Sequence, residues 1–207
     1  PLADGLEADD EPEAYEAAVA DVIERIARGE IFQANIARGW STRLKPRVRP
    51  ADLFARLLAE SPAPFAAYLR WAGAAVVSNS PERFLCVRDG AVTTQPIKGT
   101  RPRGATAQED ARLVAELLAS AKDRAENLMI VDLMRNDLAR VCTPGGVRAP
   151  VLFSIESFAN VHHLVSTVTG RLAPGFGFAD LLRAAFPPGS VTGAPKVQAM
   201  RVIARHE

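Results

Sequence analysis

The sequence predicts an α+β protein, organised as a layered α/β sandwich, and three observations support this fold class. Hydrophobic residues make up 48% of the 207 residues and charged residues 24%, as in ordinary globular proteins. Helical and strand periodicities occur in clustered runs, whereas a doubly wound fold would alternate them regularly. Gly and Asp-Gly turn signals separate the strand-like runs. The chain is also long enough to bury one sizeable core.

Residues 9–30 are predicted to form the first helix. Asp10 is the expected N-cap, acidic residues fill the first turn, and Gly29 marks the end. The apolar positions at helical spacing are Ala18, Val22, Ile23 and Ile26. This spacing is typical of an amphipathic helix.

A strand, a second helix and then hairpins are predicted next. Residues 31–40 are interpreted as a strand with Phe32, Ala34 and Ile36 on one face. Residues 50–61 are predicted to be a short helix opened by proline. Residues 65–97 have strand patterns joined by Gly and Asp-Gly turns, which is the hairpin signature.

The second half of the chain returns to helices and then to strands. Residues 106–141 predict one long helix or two abutting helices, and residues 145–172, rich in Val and Thr, predict strands. Residues 178–186 and the final segment are predicted helices, the last with Ala194 and Pro195 at its first positions. Because the chain starts with Pro and stops inside this predicted helix, we expect it to be a fragment of a longer protein.

Net charge, apolar run length and cysteine spacing argue against several function classes. The net charge is +1 and the basic run at residues 43–50 contains no aromatic residue, so we expect no nucleic-acid partner. No apolar stretch approaches the roughly 20 residues that span a bilayer, and no signal peptide is visible, so we expect no membrane partner. Cys86 and Cys142 lack a CxxC pairing, which suits a reducing cytoplasm, and both are expected to be small buried residues.

The segment "TTQPIKGTRPRG" (residues 93–104) is predicted to be a loop, because its prolines and glycines break regular structure. Lys98 lies in its middle and is one of only four lysines among 25 basic residues. Unlike arginine, lysine can lose its proton and act as a nucleophile. Lys98 is therefore a candidate reactive group, with a solvated loop lysine as the alternative.

Three carboxylates are further candidates. Glu82 follows a predicted strand on a Ser/Pro turn, where it could be a general acid or base, or a turn acid paired with Arg83 or Arg101. Asp123 and Glu126 are three residues apart on a predicted helix, so both face the same way and could hold Mg²⁺. The alternative for this pair is a solvated helix face.

Two more motifs contain polar groups that could contribute to a site. His162 and His163 are neighbours in a predicted strand, so they point to opposite faces and do not easily share a metal. One of them is expected to line a site while the other packs. Residues 187–196 form a Gly/Pro-rich loop before a helix, where backbone N–H groups could hold a carboxylate or simply form a tight turn.

The order and spacing of these motifs resemble a known family. It is the chorismate-binding catalytic domain shared by anthranilate synthase component I, aminodeoxychorismate synthase component I, and the isochorismate and salicylate synthases. The resemblance covers nearly the whole chain. The segments that carry it are "FQANIA", "SNSPERF", "QPIKGTRPRG", "KDRAENLMIVDLMRNDL", "VHHLVSTVTG" and "GSVTGAPK".

The resemblance implies a role for Lys98, because the family has "PIKGT" in aminodeoxychorismate synthases and usually "PIAGT" in anthranilate synthases. Lys98 would add to C2 of chorismate and expel the C4 hydroxyl, after which ammonia from a glutaminase partner attacks C4. Glu82 matches the general acid that protonates the departing hydroxyl. The implied product is 4-amino-4-deoxychorismate, for para-aminobenzoate and folate synthesis.

The resemblance also implies a cofactor and substrate contacts. Asp123 and Glu126 match one of two acidic pairs that hold Mg²⁺ on a chorismate carboxylate, and His163 matches a catalytic histidine near the ring. Gln33, a substrate-binding position, stands where water-using relatives have a lysine base. The other substrate-contacting positions are matched by Gly99, Thr100, Thr192, Gly193 and Ala194.

The implied fold has two β-sheets flanked by helices, and residues 1–207 would be an incomplete, C-terminally truncated chorismate-binding catalytic domain. The family's N-terminal region and the end of its domain, with the second acidic pair, have no match here, so the fragment alone is not expected to be a complete enzyme. Two alternatives stay open. One is anthranilate synthase component I, which Lys98 in place of Ala argues against; the other is a non-catalytic binding or assembly module.

Overall fold

The computed structural model describes residues 2–207, which contain six helices and eleven strands. The helices are α1 (Pro12–Ala27), α2 (Pro50–Glu60), α3 (Ala107–Ala119), α4 (Ala121–Ala139), α5 (Phe178–Ala185) and α6 (Lys196–Ile203). The strands are β1 (Glu7–Ala8), β2 (Gln33–Ala34), β3 (Trp40–Ser41), β4 (Phe65–Trp71), β5 (Ala74–Ser80), β6 (Arg83–Arg88), β7 (Ala91–Gln95), β8 (Ile97–Pro102), β9 (Arg148–Ser157), β10 (Val161–Arg171) and β11 (Gly193–Ala194).

Strand β10 is the centre of a five-stranded antiparallel sheet. Its residues 168–171 pair with β7 and its residues 161–165 pair with β8, so these two consecutive strands share one edge of β10. Strand β9 pairs with β10 over nearly the same length and therefore takes the other edge. Strand β6 extends the sheet by pairing with β7.

The main core lies between this sheet and the helices α4 and α5. Ile130, Met134 and Leu138 of α4 are at most 1% exposed, and they cluster with Val92 of β7 and Val168 of β10. Full burial of such side chains stabilises the fold by about 1.5–3 kcal/mol each. The long helix α4 is thereby fixed across the strands that carry the candidate site.

Two smaller assemblies accompany the main sheet. Strands β4 and β5 form a separate hairpin, against which α2 packs through the stacked rings of Phe54 and Tyr68, whose centroids are 5.8 Å apart. Val22, Ile31 and Val202 form a second buried cluster that joins α1, the segment just before β2, and α6. The predicted α+β class, with sheets flanked by helices, is confirmed.

Several predicted elements are confirmed as well. Helix α2 begins at Pro50, and the Asp89–Gly90 turn joins β6 to β7 with positive φ at both residues (49° and 74°), as a tight hairpin turn requires. The region predicted as one or two helices is two. Ser120 ends α3, and its side chain caps α4 by accepting a hydrogen bond from the Asp123 N–H.

The details predicted for α1 and the strand after it were partly wrong. The N-cap of α1 is Glu11, not Asp10, because a proline takes the first helical position. Ile23 and Ile26 are 61% and 40% exposed, so only part of the apolar stripe is covered. Of residues 31–40, predicted as one strand, only Gln33–Ala34 (β2) and Trp40, the first residue of β3, are strand.

The segments around Lys98 and Pro195 also differ from the prediction. The predicted loop at residues 93–104 is mostly strand. Pro96 permits this because it lies between β7 and β8, where its missing N–H interrupts no strand pair. Ala194 belongs to β11 and Pro195 is the N-cap of α6, so this helix begins at Lys196. Both corrections have one cause, since pairing with distant strands decides these conformations.

Both cysteines are free thiols; Cys142 is buried as predicted, whereas Cys86 is only half-buried. Among residues 2–207 there is no helix with the length and apolarity needed to cross a membrane.

Candidate active site

Lys98 and Glu82 meet at Ser190. Lys98 is half-buried on β8, and its Nζ donates a hydrogen bond to the Ser190 carbonyl oxygen at 3.3 Å. The Ser190 hydroxyl donates to Glu82 Oε1 at 2.6 Å. The three residues come from β8, from the β5–β6 connection and from the loop before β11. The candidate nucleophile and the candidate acid therefore bind one residue that is remote from both in sequence.

The environment of Glu82 favours a protonated carboxyl group. Burial raises the pKa of this carboxyl group, and this is the largest influence on it. Hydrogen bonds from the Ser190 hydroxyl and the Ile97 N–H, and the charge of Lys98, act in the opposite direction. A carboxyl group with a raised pKa keeps its proton to higher pH than an ordinary glutamate, as a proton donor requires.

A cavity of about 460 Å³ lies beside Lys98. Gln33 and Glu126 line it together with Lys98, so the structure brings these three predicted residues to one space. The remaining lining is largely apolar, from α1, β2 and α4. Glu126 has a loose ion pair with Lys122 at 3.8 Å, and its side chain is 37% exposed.

Asp123 lies one turn before Glu126 on α4 but has a different partner. Its carboxylate accepts a hydrogen bond from Arg101 Nη2 at 3.1 Å, and this pair is partly buried. Among residues 2–207 no cluster of three or more His, Cys, Asp or Glu could enclose a metal ion. Carboxylate oxygens are ligands that Mg²⁺ accepts, but of this pair only Glu126 lines the cavity beside Lys98.

Gly99 allows β8 to lie against the helices. Its φ is +96°, and a Cβ built there would come within 2.9 Å of both Asp123 Cβ and Leu117 Cδ1. A side chain would therefore separate the strand from α3 and α4. The absence of a side chain at Gly99 thus allows Lys98 on β8 to lie close to the acidic pair on α4.

The two histidines point to opposite faces of β10, as predicted. His163 is 8% exposed, its Nδ1 is 2.9 Å from the Thr100 hydroxyl, and burial lowers the pKa of its imidazole. His162 is buried on the other face, bonded to Ser157 and Asp110. His163 and Thr100 therefore form one pair, and His162 has a packing role.

His163 does not reach the cavity beside Lys98. It lines a smaller cavity of about 190 Å³, whose wall includes Pro81 and Phe158. Pro81 directly precedes Glu82, so this second cavity lies next to the candidate acid. The predicted site residues are therefore not gathered around one cavity: Lys98, Gln33 and Glu126 line one, His163 lines another, and Thr192 lines a third of about 560 Å³.

Thr192, Gly193 and Ala194 form a backbone ladder with β2. Gly193 pairs with Ala34, and Ala194 pairs with Gln33. The buried Thr192 hydroxyl donates to the Pro188 carbonyl at 3.0 Å, so it is occupied by its own loop. These residues hold the Ser190 loop against Gln33.

Two residues of this site were missed by sequence reasoning. Ser190 lies in the quoted "GSVTGAPK" motif, but a serine in a Gly/Pro loop is typical of a turn, and no local signal distinguishes it. Asn35 lies in "FQANIA", and its Nδ2 donates to the Ser190 carbonyl at 3.1 Å. The pairing of the two motifs in space was the information that the sequence lacked.

Comparison with known proteins identifies a family for the chain. The family model described as "chorismate binding enzyme" matches residues 2–207. Aminodeoxychorismate synthase from Streptomyces pristinaespiralis is 50% identical over 194 residues, covering 93% of this chain and 27% of that protein. Aminodeoxychorismate synthase component 1 from Klebsiella aerogenes is 53% identical over 175 residues, covering 84% of this chain and 38% of that protein. The chain therefore spans well under half the length of these relatives.

A solved structure shares the fold over the full chain. Anthranilate synthase component I from Streptococcus pneumoniae TIGR4 superposes with a TM-score of 0.87 at 32% identity, covering 100% of this chain and 45% of that one. The fold, the motif order and the family match over residues 2–207 agree. The chain belongs to the chorismate-binding enzyme family.

Proposed function

We propose that the protein aminates chorismate at C4 and so produces 4-amino-4-deoxychorismate for para-aminobenzoate and folate synthesis. One observation carries this proposal: the Lys98 amine and the Glu82 carboxyl group bind the same residue, Ser190, at 3.3 Å and 2.6 Å. A nucleophile and an acid so placed can act on one small molecule. The relatives at 50% and 53% identity are named aminodeoxychorismate synthases, which supports the same reaction.

In the proposed chemistry Lys98 forms a bond to C2 of chorismate while the C4–oxygen bond breaks. Glu82 gives its proton to the departing oxygen, which leaves as water. Ammonia then forms a bond to C4, and the bond between C2 and Lys98 breaks to return the free amine. The proton that the new C4 ammonium group loses restores the Glu82 carboxyl group. Two such displacements replace one difficult direct substitution, and this is the usual benefit of covalent catalysis.

We further propose that Asp123 and Glu126 hold Mg²⁺. When bound, this ion would neutralise a carboxylate group of chorismate. Arg101 keeps the Asp123 carboxylate turned toward β8 through its 3.1 Å bond. Glu126 lines the cavity that also contains Lys98, so a substrate carboxylate there would be near both groups.

Ammonia is proposed to come from a glutaminase partner. The Klebsiella aerogenes relative is named component 1, and this name implies a second component. Lys98 favours this use of ammonia at C4 over an anthranilate-type reaction at C2, even though the structural neighbour from Streptococcus pneumoniae is an anthranilate synthase.

The test is product identity. The complete protein is incubated with chorismate, Mg²⁺ and ammonium, and products are identified by mass spectrometry and chromatography. We expect 4-amino-4-deoxychorismate. Anthranilate with released pyruvate would instead assign the alternative amination at C2, and the absence of any chorismate turnover would favour a non-catalytic module.

A further inference from the structure

Ser190 contacts both reactive groups, through two different parts of the residue. Its hydroxyl donates to Glu82 Oε1 at 2.6 Å, and its carbonyl oxygen accepts from Lys98 Nζ at 3.3 Å. The same carbonyl accepts from Asn35 Nδ2 at 3.1 Å. Both lone pairs of this oxygen are therefore used, and the position of the peptide group is defined from two sides.

The loop that carries Ser190 is held on both flanks. On one side, Gly189 packs so closely on α4 that a Cβ there would lie 2.7 Å from Leu133 Cδ1. On the other side, the Asn35 N–H donates to the Thr192 carbonyl at 2.8 Å. A loop fixed in this way can place a hydroxyl group accurately.

A buried ion pair fixes the end of the same loop. Lys196, the first residue of α6, bonds the carboxylate of Asp137 on α4 and the Ala185 carbonyl at the end of α5. The two charged side chains are 13% and 7% exposed. The loop therefore contacts α4 at both ends, through Gly189 on Leu133 and through Lys196 on Asp137.

The bond from Ser190 to Glu82 changes in strength during the proposed proton transfer. A hydroxyl group binds an ionised carboxylate more strongly than a neutral carboxyl group. When Glu82 gives its proton to the leaving oxygen, the Ser190 bond becomes charge-assisted. It then stabilises Glu82 at the moment when negative charge develops there, so it lowers the barrier more than it strengthens substrate binding.

The other charged groups near Glu82 are accounted for. Lys98 on β8 acts on the carboxyl group through its charge. Arg83, the next residue in the chain, directs its Nε to Gln95 Oε1 at 2.6 Å and its guanidinium over the Phe65 ring. Ser190 is therefore the neutral side-chain donor to Glu82.

We propose that Ser190 is a positioning residue that couples the general acid to the nucleophile: its hydroxyl stabilises the Glu82 carboxylate formed on proton transfer, while its carbonyl group orients the Lys98 amine. This inference rests on the proposed function. To that function it adds a residue that determines the pH range over which the Glu82 carboxyl group is protonated.

The test is a pH–rate profile of the complete protein and of the variants Ser190→Ala and Ser190→Thr. Val191→Ala is the matched control, because Val191 is the next residue in the same loop and its side chain is 59% exposed. For Ser190→Ala we expect kcat to fall by about 10- to 100-fold, the range for a lost hydrogen bond to a charged group. KM should change much less, and circular dichroism verifies folding.

The direction of the pH effect follows from the contact. Glu82 acts in its protonated form, so the rate falls as pH rises through the pKa of its carboxyl group. The Ser190 hydroxyl favours the ionised form, so its removal raises that pKa and moves the alkaline limb of the profile to higher pH. Ser190→Thr keeps a hydroxyl group and should keep the limb in place and most of the rate. Val191→Ala should leave both unchanged.

The possible results distinguish failure of the role of Ser190 from failure of the proposed function. If the parent protein is active and the Ser190→Ala variant keeps its kcat, the role of Ser190 is overturned and the proposed function stays intact. The same holds if the variant loses activity without any movement of the alkaline limb. A parent protein without 4-amino product overturns the proposed function and this inference together. If Ser190→Ala does not fold, Ser190→Cys replaces it: its weakly donating thiol must move the limb in the same direction, and an unmoved limb overturns the proposal.

Discussion

The residue at position 98 is predicted to determine the product. Lys98→Ala should abolish 4-amino-4-deoxychorismate, because no amine remains to attack C2. Lys98→Arg should be equally inactive for this product, because charge is kept but the guanidinium stays protonated. Products of both variants of the complete protein are identified by mass spectrometry after incubation with chorismate, Mg²⁺ and ammonium.

Lys45→Arg is the control for this experiment, since Lys45 lies between β3 and α2, outside the site. It should retain the parent rate. If Lys98→Arg still makes the 4-amino product at nearly the parent rate, the covalent role is wrong and Lys98 supplies only positive charge.

Glu82 is expected to act mainly in the transition state. Glu82→Gln keeps the shape of the side chain and removes its acidic proton, so kcat should fall by about 10²- to 10⁴-fold while KM rises little. Steady-state kinetics with chorismate measure both constants. Glu60→Gln, an exposed change at the end of α2, is the control. An unchanged kcat in Glu82→Gln would mean that Glu82 is a structural turn acid.

The sequence singled out Lys98 and Glu82 as candidates, and their reactivity stays a prediction. Lys98 stood out because it is one of four lysines and lies in a Pro/Gly frame, whereas Glu82 on its turn also had a structural alternative. Ser190 did not stand out, since its two contacts are with residues 92 and 108 positions away in the chain. Asp123 was expected to face the same way as Glu126, and its pairing with Arg101 was visible only in the structure.

Among the elements, the two-residue strands β2 and β11 are predicted to support the site far more than their length suggests. A Cβ on Gly193 would lie 2.1 Å from the Gln33 carbonyl oxygen, and the residue has a φ of 149°. Gly193→Ala should therefore separate β11 from β2 and displace the Ser190 loop. We expect a loss of about 1–3 kcal/mol in the free energy of unfolding, together with lower activity.

Chemical denaturation and the amination assay measure these two effects on the complete protein. Gly5→Ala is the matched control, because no atom outside its neighbours lies within 4 Å of a Cβ built there. A Gly193→Ala variant as stable and active as the control would show that the ladder adapts to a side chain and does not fix the loop.

Elements were predictable where local chemistry decides them. Pro50 at the start of α2 and the Asp89–Gly90 turn are local signals, and both were interpreted correctly. Strand β8 was missed because Gly99 and two prolines suggest a loop. Its strand conformation depends on pairing with β10, more than 55 residues later, and local composition carries no information about that partner.

On the scale of the whole molecule, burial is uneven. The sheet and α4 have a continuous core, whereas several large apolar side chains are exposed: Phe32 is 74%, Trp71 is 87% and Val197 is 63% exposed. Single exposed apolar side chains are common on globular proteins, so this exposure does not by itself mark a contact surface. Hydrophobic periodicity predicts which side chains lie on the apolar face of a helix or strand. It does not indicate whether another element within residues 2–207 packs over that face.

The small number of acidic ligands leads to a prediction for a polypeptide of residues 1–207 expressed by itself. Asp123 and Glu126 are the carboxylates proposed for Mg²⁺, residues 2–207 contain no larger metal-binding cluster, and of this pair only Glu126 lines the cavity beside Lys98. Such a polypeptide should bind Mg²⁺ and chorismate weakly, because two carboxylates alone give neither a full metal shell nor a firm hold on the substrate carboxylates. Isothermal titration calorimetry with chorismate, with and without Mg²⁺, measures this, and the complete protein is the control. Micromolar, Mg²⁺-dependent binding to residues 1–207 would contradict the prediction, since it would mean that these residues contain every group that chorismate needs.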